Sequence, residues 1–439
     1  MGKHLIVISV DAMVFEDIEK AKGLPSFKRL LEGASVIERV RTVYPSLTHT
    51  VHASILTGAT PGKTGIVNNH LFSPKAPDTD NSRWYNIISE IRCDTLLHAA
   101  KRAGLTTASS TFPMTAYADG VVDYLVPGVL NYYYRDGVAP IDVYRELGAS
   151  EELLPIIERA AELYGWRDRH PEIDCFQVYC ATEIIKKFKP NLLLMHPGDV
   201  DHQRHATGVF GDGVVGALER TDAWLGAVMD AVDEAGIADS TDIVVLSDHG
   251  QINIDRAVSL NVALAERGYI RLKPDGTVDS WDAYVHSAGA SAQVYLSRPE
   301  DGELKKEIYE LLAELKSTAD YGFERIFTAE ELDSIYGLRG DFSFVLETDG
   351  HTSFGEWLCA PAERSFGVGD YRQARGTHGH SPEKGPQPPF IAKGPSFKSG
   401  VTLAQGSILN HAPTLARVLG IELADADGEA VEEILNIEE

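Results

Sequence analysis

Cysteine, basic charge and long apolar runs are what this 439-residue chain has little of. Its four cysteines, Cys93, Cys175, Cys180 and Cys359, give neither a zinc-knuckle spacing nor a dense disulfide framework, and are read as reduced thiols. Lysine and arginine number 40 against 65 acids, a formal net charge of −25. That balance denies the chain the basic face that a nucleic-acid polymer or an anionic membrane requires. No stretch approaches the roughly 18–20 apolar residues of a membrane span. The opening MGKHLIVISVDAM ends its short apolar run at an aspartate and carries no cleavage signature. The expectation is a soluble, cytoplasmic protein. Internal repeats and low-complexity tracts are also missing. GATPGKTG at 58–65 is not a Walker loop, because Gly58 and Gly62 are only four apart.

What is present is a globular composition, 44% hydrophobic and 24% charged, in a length that fits one large α/β domain with an insert, or two domains. Three short, continuous, β-branched or leucine-rich runs, His4–Val10, Asn191–Pro197 and Asp242–Ser247, have the pattern of strands buried on both faces of a parallel sheet. Chemistry-bearing side chains stand just past each run. Asp11 ends the first, as either a turn cap or a ligand, since sites in open α/β sheets lie at the carboxyl ends of strands. GDVDHQRHATG follows the second, with Asp201 and His205 four apart, on one helical face where both can grip one ion. Asp199 is a spare acid there, and its spacing to His205 favours Asp201. Asp248-His249-Gly250 follows the third, and GTHGH at 376–380 adds His378.

One hydroxyl completes the set. In VYPSLTHTVHASILTG (43–58), Tyr44-Pro45-Ser46 reads as extended chain and turn, and a helix opens after Thr48. Thr48 is then either a plain N-cap or a hydroxyl placed where free N–H groups suit a tetrahedral anion. Further helices are expected at 25–33, 93–103, 151–164, 214–235 and 408–419, and a final strand in PFIAKGP. Residues 266–365 change character, with an alternating strand in ASAQVYLSRP and a helix over 303–316, and read as a small α+β insert. Nitrogen and oxygen donors favour zinc, with manganese or iron as alternatives.

Six such acids and imidazoles at successive strand ends, with a threonine at a helix start, resemble the alkaline phosphatase superfamily, and within it the nucleotide pyrophosphatase/phosphodiesterase branch. VISVDAM, YPSLTHTVHASILTG, GIVNN (65–69), DHQRHATG, SDHG and GTHGH come in that family's order, and the C-terminal LNHAPTLARVLGI is similar to its closing helix. The resemblance implies an α/β fold, with a largely parallel central sheet sandwiched by helices. Residues 1–265 and 366–439 would form the core, with 266–365 as a cap over the site. It implies two divalent ions: Asp201, His205 and His378 hold one, and Asp11, Asp248, His249 and Thr48 the other. Asn69 would bind a phosphoryl oxygen together with a backbone N–H near Thr48, and Thr48 would pass through a phosphothreonine. The implied substrate is a small phosphodiester or pyrophosphate.

Departures from the family pattern matter here. His49-Thr50-Val51 replace the aromatic, proline and asparagine that commonly follow the nucleophile, which weakens the case for a nucleobase platform. No C/SxPxR string is present, which excludes the sulfatase branch. A phosphomonoesterase, a phosphonoacetate hydrolase-like enzyme and a non-catalytic metal-binding relative stand as alternatives. His49, His52, His70, His202 and His380 are read as neighbours of the site rather than ligands.

Overall fold

Eight strands form the central sheet of the computed structural model, which describes residues 4–74, 83–167, 169–318, 320–366 and 371–437. They are β1 (His4–Ser9), β2 (Ser35–Arg41), β3 (Thr107–Ser110), β4 (Tyr124–Val126), β5 (Leu192–Met195), β6 (Thr241–Leu246), β7 (Phe390–Lys393) and β8 (Thr402–Ser407). Their spatial order is β8-β2-β7-β6-β1-β5-β3-β4. All neighbours run parallel except β7, which is antiparallel to both β6 and β2. At the centre, Val7 of β1 stands opposite Leu194 on one side and Val244 on the other. This is the expected α/β architecture, with one strand of PFIAKGP reversed.

Alternation along β1 explains the sandwich. Ile6 and Ile8 enter one apolar cluster with the helices Glu172–Phe188 and Asp212–Glu234, while Leu5 and Val7 enter another with Thr48–Thr57 and His411–Leu419. Successive side chains of a strand point to opposite faces, so a continuous apolar run satisfies both helical layers. Each such side chain, buried completely, contributes about 1.5–3 kcal/mol.

A second, four-stranded antiparallel sheet holds Ala283–Ser287, Ser291–Leu296, Phe344–Thr348 and Phe323–Thr328 in that spatial order. Ser291–Leu296 does alternate, but both of its faces are buried. Val294 and Leu296 pack with the helix Gly302–Ser317, and Tyr295 packs with Tyr44 and Val67. The Gln293 amide donates to the Val67 carbonyl (2.7 Å), Asn68 Nδ2 donates to the Ser287 carbonyl (3.1 Å), and Ser291 Oγ donates to the Gly379 carbonyl (2.6 Å). These bonds tie the sheet to the loops at 67–69 and 376–380, so it braces them from behind. None of the described residues lining the site cavity comes from 266–365. Among the described residues no helix is long and apolar enough to cross a membrane.

Candidate active site

The carboxyl ends of β1, β2, β5 and β6 converge on one cavity. Asp11 leaves β1, and its N–H donates to the Pro197 carbonyl at 2.9 Å, which joins the exits of β1 and β5. The chain leaving β2 reaches Thr42, whose hydroxyl donates to the Asp248 carbonyl at 2.8 Å beyond β6. Six residues later the helix Thr48–Thr57 begins. Leu47, extended at φ −115° and ψ 141°, is its N-cap, and Thr48 is the first helical residue. The plain capping role open to Thr48 in the sequence is therefore not the one it takes. Its Oγ1 lies instead 3.2 Å from His249 Nε2.

All eight expected site residues lie around this cleft. His249 Nε2 is 3.3 Å from Asp248 Oδ2 and 3.6 Å from Asp11 Oδ1. On the helix Asp199–Thr207, Asp201 Oδ2 and His205 Nε2 are 3.0 Å apart, and Asp201 Oδ1 is 3.9 Å from His378 Nε2. The rings of His249 and His378 stack at 4.1 Å. Ligating atoms of Asp201, His205 and His378 all lie within 4.8 Å of one another, and so do those of Asp11, Asp201 and His249. Asp201 thus reaches both groups, whereas the expected division gave it to one. The first turn of its helix follows directly from Pro197, beside Asp11.

The donor chemistry fits divalent cations. A carbonyl can only accept, so Nδ1–H of His205 donates to the Gly376 carbonyl (2.7 Å), that of His378 to the Ser46 carbonyl (3.2 Å) and that of His196 to the Ser9 carbonyl (2.9 Å). Each bond leaves a lone pair on Nε2, the arrangement that backs a metal-bound imidazole. Those lone pairs face carboxylate oxygens, and Asp11 Oδ1 and Asp248 Oδ2 are buried without a hydrogen-bond partner. Acceptor facing acceptor is unfavourable until a cation sits among them.

Titration reflects the same crowding. Burial, and then the charges of Asp201 and Asp248, hold the Asp11 carboxyl well above its usual range. Burial pushes Asp248 up to about 6. Burial also acts to raise Asp201, but His205, His378 and His249 outweigh it and bring that carboxyl far down. Burial depresses His249 to about 3 and His378 well below the normal imidazole value, so both stand neutral as ligands must.

Asn69 sits beside Thr48. Its Oδ1 accepts the His49 N–H at 2.9 Å, which fixes the amide and leaves the buried Nδ2 unpartnered as a donor on the cavity wall. The backbone N–H expected to help hold the phosphoryl oxygen is therefore not that of His49, since Asn69 itself occupies it.

Several neighbours were not legible as site residues. His196 puts Nε2 3.2 Å from Asp11 Oδ2, and Gln251 Nε2 donates to Asp201 Oδ1 at 2.5 Å. Asp199 pairs instead with Arg220, at 2.6 Å. His52 Nδ1 donates to the Thr48 carbonyl (2.7 Å) and its Nε2 accepts from Ser9 Oγ (2.9 Å), which braces the first helical turn against β1. The cavity measures about 740 Å³. Trp84, Phe366, Tyr371 and His49 are among its lining residues, with the His49 ring edge-on to Trp84 at 5.1 Å. Aromatic surface absent from the helix start is thus supplied by distant segments. Trp84 and Tyr371, far apart in sequence, bring their rings within 6.2 Å of each other.

The sequence profile of the family described as "Type I phosphodiesterase / nucleotide pyrophosphatase" matches residues 5–379. Human ectonucleotide pyrophosphatase/phosphodiesterase family member 1 is 22% identical over 298 residues, 64% of this chain and 28% of that protein. A venom phosphodiesterase of Macrovipera lebetinus is 22% identical over 263 residues, 57% of this chain and 26% of its own length. The match therefore spans under a third of these curated relatives. Among solved structures, murine ectonucleotide pyrophosphatase/phosphodiesterase 5 superposes with a TM-score of 0.67 at 18% identity, over 99% of this chain and 100% of that one. An inactive threonine-to-alanine form of the same murine protein, in complex with AMP, gives a TM-score of 0.68 at 16% identity, with the same coverage.

Proposed function

We infer that this chain, which belongs to the type I phosphodiesterase / nucleotide pyrophosphatase family of the alkaline phosphatase superfamily, hydrolyses phosphodiester or pyrophosphate bonds through Thr48. The observation that carries this reading is the Thr48 hydroxyl at a helix start, 3.2 Å from His249 Nε2 and beside two clusters of buried and half-buried acids and imidazoles. Two divalent ions, zinc first among the candidates, held by Asp201, His205 and His378 and by Asp11, Asp248, His249 and Thr48, would supply the Lewis acidity that makes a threonine alkoxide accessible and takes up charge on the leaving oxygen.

The chain's own residues do the rest. Thr48 Oγ1 attacks phosphorus, and the P–O bond to the leaving group breaks as a phosphothreonine forms. Asn69 Nδ2, preorganised by the His49 N–H, donates to a non-bridging oxygen. His52 anchors the Thr48 carbonyl and so fixes the direction of attack. Water entering from the opposite side then releases phosphate or a monoester and restores the hydroxyl. The catalytic unit is 1–265 with 366–439, braced by 266–365.

A nucleotide-type substrate suits the cavity better than the small alternatives. Its volume fits a ligand of that size, and Trp84, Tyr371 and Phe366 offer flat apolar surface for a base. The murine structural neighbour was solved with AMP. Arg375 is the one arginine or lysine among the described lining residues, so no lysine pair stands ready for the carboxylate of a phosphonoacetate. Zinc-loaded protein should turn over bis-p-nitrophenyl phosphate faster than p-nitrophenyl phosphate or phosphonoacetate, and Thr48→Ala should abolish the activity. Faster turnover of the monoester or phosphonate, or an unaffected Thr48→Ala, would contradict it. No turnover of any of the three by metal-loaded protein would support the non-catalytic alternative.

A further inference from the structure

We propose that Arg204 is a positioning residue that sets the spacing between the two ion-binding groups, an inference that rests on the metal reading given above. Arg204 lies on the helix Asp199–Thr207, between Asp201 and His205, yet its side chain is entirely buried. Every arm of its guanidinium is engaged. Nε donates to the Ala12 carbonyl at 3.0 Å, Nη1 donates to the Val209 carbonyl, and Nη2 donates to Asp17 Oδ2. Asp17, also fully buried, uses that same oxygen to accept the Val14 N–H at 2.9 Å. One cation therefore fastens the helix bearing Asp201 and His205 to residues 12–17, the segment that leaves Asp11.

Ala12 is where this matters. It has φ +54°, the left-handed region that an L-residue with a side chain seldom adopts, and it is completely buried. Such a conformation persists only when the surroundings hold it. Its N–H donates to Asp248 Oδ1 at 3.1 Å, and its carbonyl accepts from Arg204. The two main-chain groups of one strained residue thus grip a carboxylate of one ion group and the helix of the other. Asp11 is the residue immediately before. Without the guanidinium, the turn would relax and carry the Asp11 carboxylate away from His249 and Asp201, while Asp201, His205 and His378 kept their own anchors.

Lysine cannot replace this fork. It keeps the charge opposite Asp17, but one ammonium on a flexible stem cannot reach the Ala12 and Val209 carbonyls together. Nothing in the proposed phosphoryl transfer requires Arg204 to touch substrate, so its effect is on where ions and Asp11 sit.

The test is zinc titration of the metal-stripped full chain by calorimetry, with stoichiometry checked by elemental analysis, alongside kcat and KM. Wild-type protein should bind two ions. In Arg204→Lys, one of the two should weaken by at least about tenfold while the other stays within about threefold, the scale expected when a group that orients ligands is lost. kcat should fall while KM changes little. Ala12→Gly, which tolerates φ +54° without strain but loosens the turn, should weaken the same ion more mildly at unchanged thermal stability. Should Arg204→Lys fail to fold, Asp17→Asn, which weakens the hold on Nη2 of Arg204, takes its place with the same selective weakening expected. Folded variants that bind both ions as wild type does, or that weaken both equally, would overturn the role of Arg204. Wild-type protein that binds no zinc would instead overturn the metal reading.

Discussion

Asn69 offers a perturbation whose two consequences can be worked out separately. Its Oδ1 holds the His49 N–H at 2.9 Å, and its Nδ2 faces the cavity without a partner. Asn69→Ala removes both. Loss of the donor should lower kcat by about 10²–10³, or about 3–4 kcal/mol of barrier, the scale of one oxyanion donor. Loss of the acceptor leaves the His49 N–H, in a fully buried first turn, unsatisfied and costs about 1–3 kcal/mol of folding stability. Asn69→Asp keeps an acceptor for the N–H but places a carboxylate oxygen where the donor was, facing the anion. Its kcat should fall at least as far as that of Asn69→Ala. The assay is steady-state hydrolysis of bis-p-nitrophenyl phosphate at saturating zinc, with urea unfolding of Asn69→Ala beside it. An Asn69→Asp enzyme within tenfold of wild type in kcat would refute the assignment of Nδ2 to the transferring phosphoryl oxygen.

Removal of zinc by a chelator should lower the thermal midpoint, because Asp11, Asp201 and Asp248 are left crowded together, and added zinc should restore it; an unchanged midpoint would contradict ion binding there. Trp84→Ala should raise KM for a nucleotide diester about tenfold, as loss of one stacking surface allows, while p-nitrophenyl phosphate monoester hydrolysis is spared; an equal effect on both would remove Trp84 from substrate recognition. His411 tests a pH effect away from the site. Its ring is buried against Phe390 (4.9 Å), neither nitrogen has a partner, and burial depresses it to about 3. The unfolded chain takes up this proton near pH 6.5 and the folded chain does not, so the His411 contribution is lost as pH falls from 6.5 toward 3. At pH 5 that amounts to about 2 kcal/mol. His411→Phe should flatten the fall of urea midpoint with acid by that amount, and an unchanged slope would contradict it.

Much of the site is written in local sequence because parallel sheets place chemistry at strand ends. Asp11 and Asp248-His249 stand out since an unbroken apolar run stops at each of them. Asp201 and His205 are visible through helical spacing alone. His378 has no such local signal and became recognisable only through the ordered set of family motifs. What stayed hidden depends on contacts between distant segments. His196 reads as the tail of a strand, and Arg204 as one more polar residue on a helix, until the turn at Ala12 comes to meet it. Helical spacing to His205 already sets Asp201 above Asp199, but what Asp199 does instead, pairing with the Arg220 side chain of the next helix, carries no mark in the sequence. The reversal of β7 is equally silent, since a short buried strand carries no mark of direction. The 266–365 segment announces its change of composition, but whether it covers the site or braces it turns on bonds from Gln293, Ser287 and Ser291 to loops far away in sequence.

Acid quenching during turnover of a diester, followed by peptide mass spectrometry, addresses the covalent step directly. The peptide carrying Thr48 should be found esterified by the substrate's phosphoryl group, with the alcohol that has not left still attached, in wild-type protein and unmodified in Thr48→Ala. Sustained turnover with no such adduct at any quench time, and activity surviving in Thr48→Ala, would contradict the account.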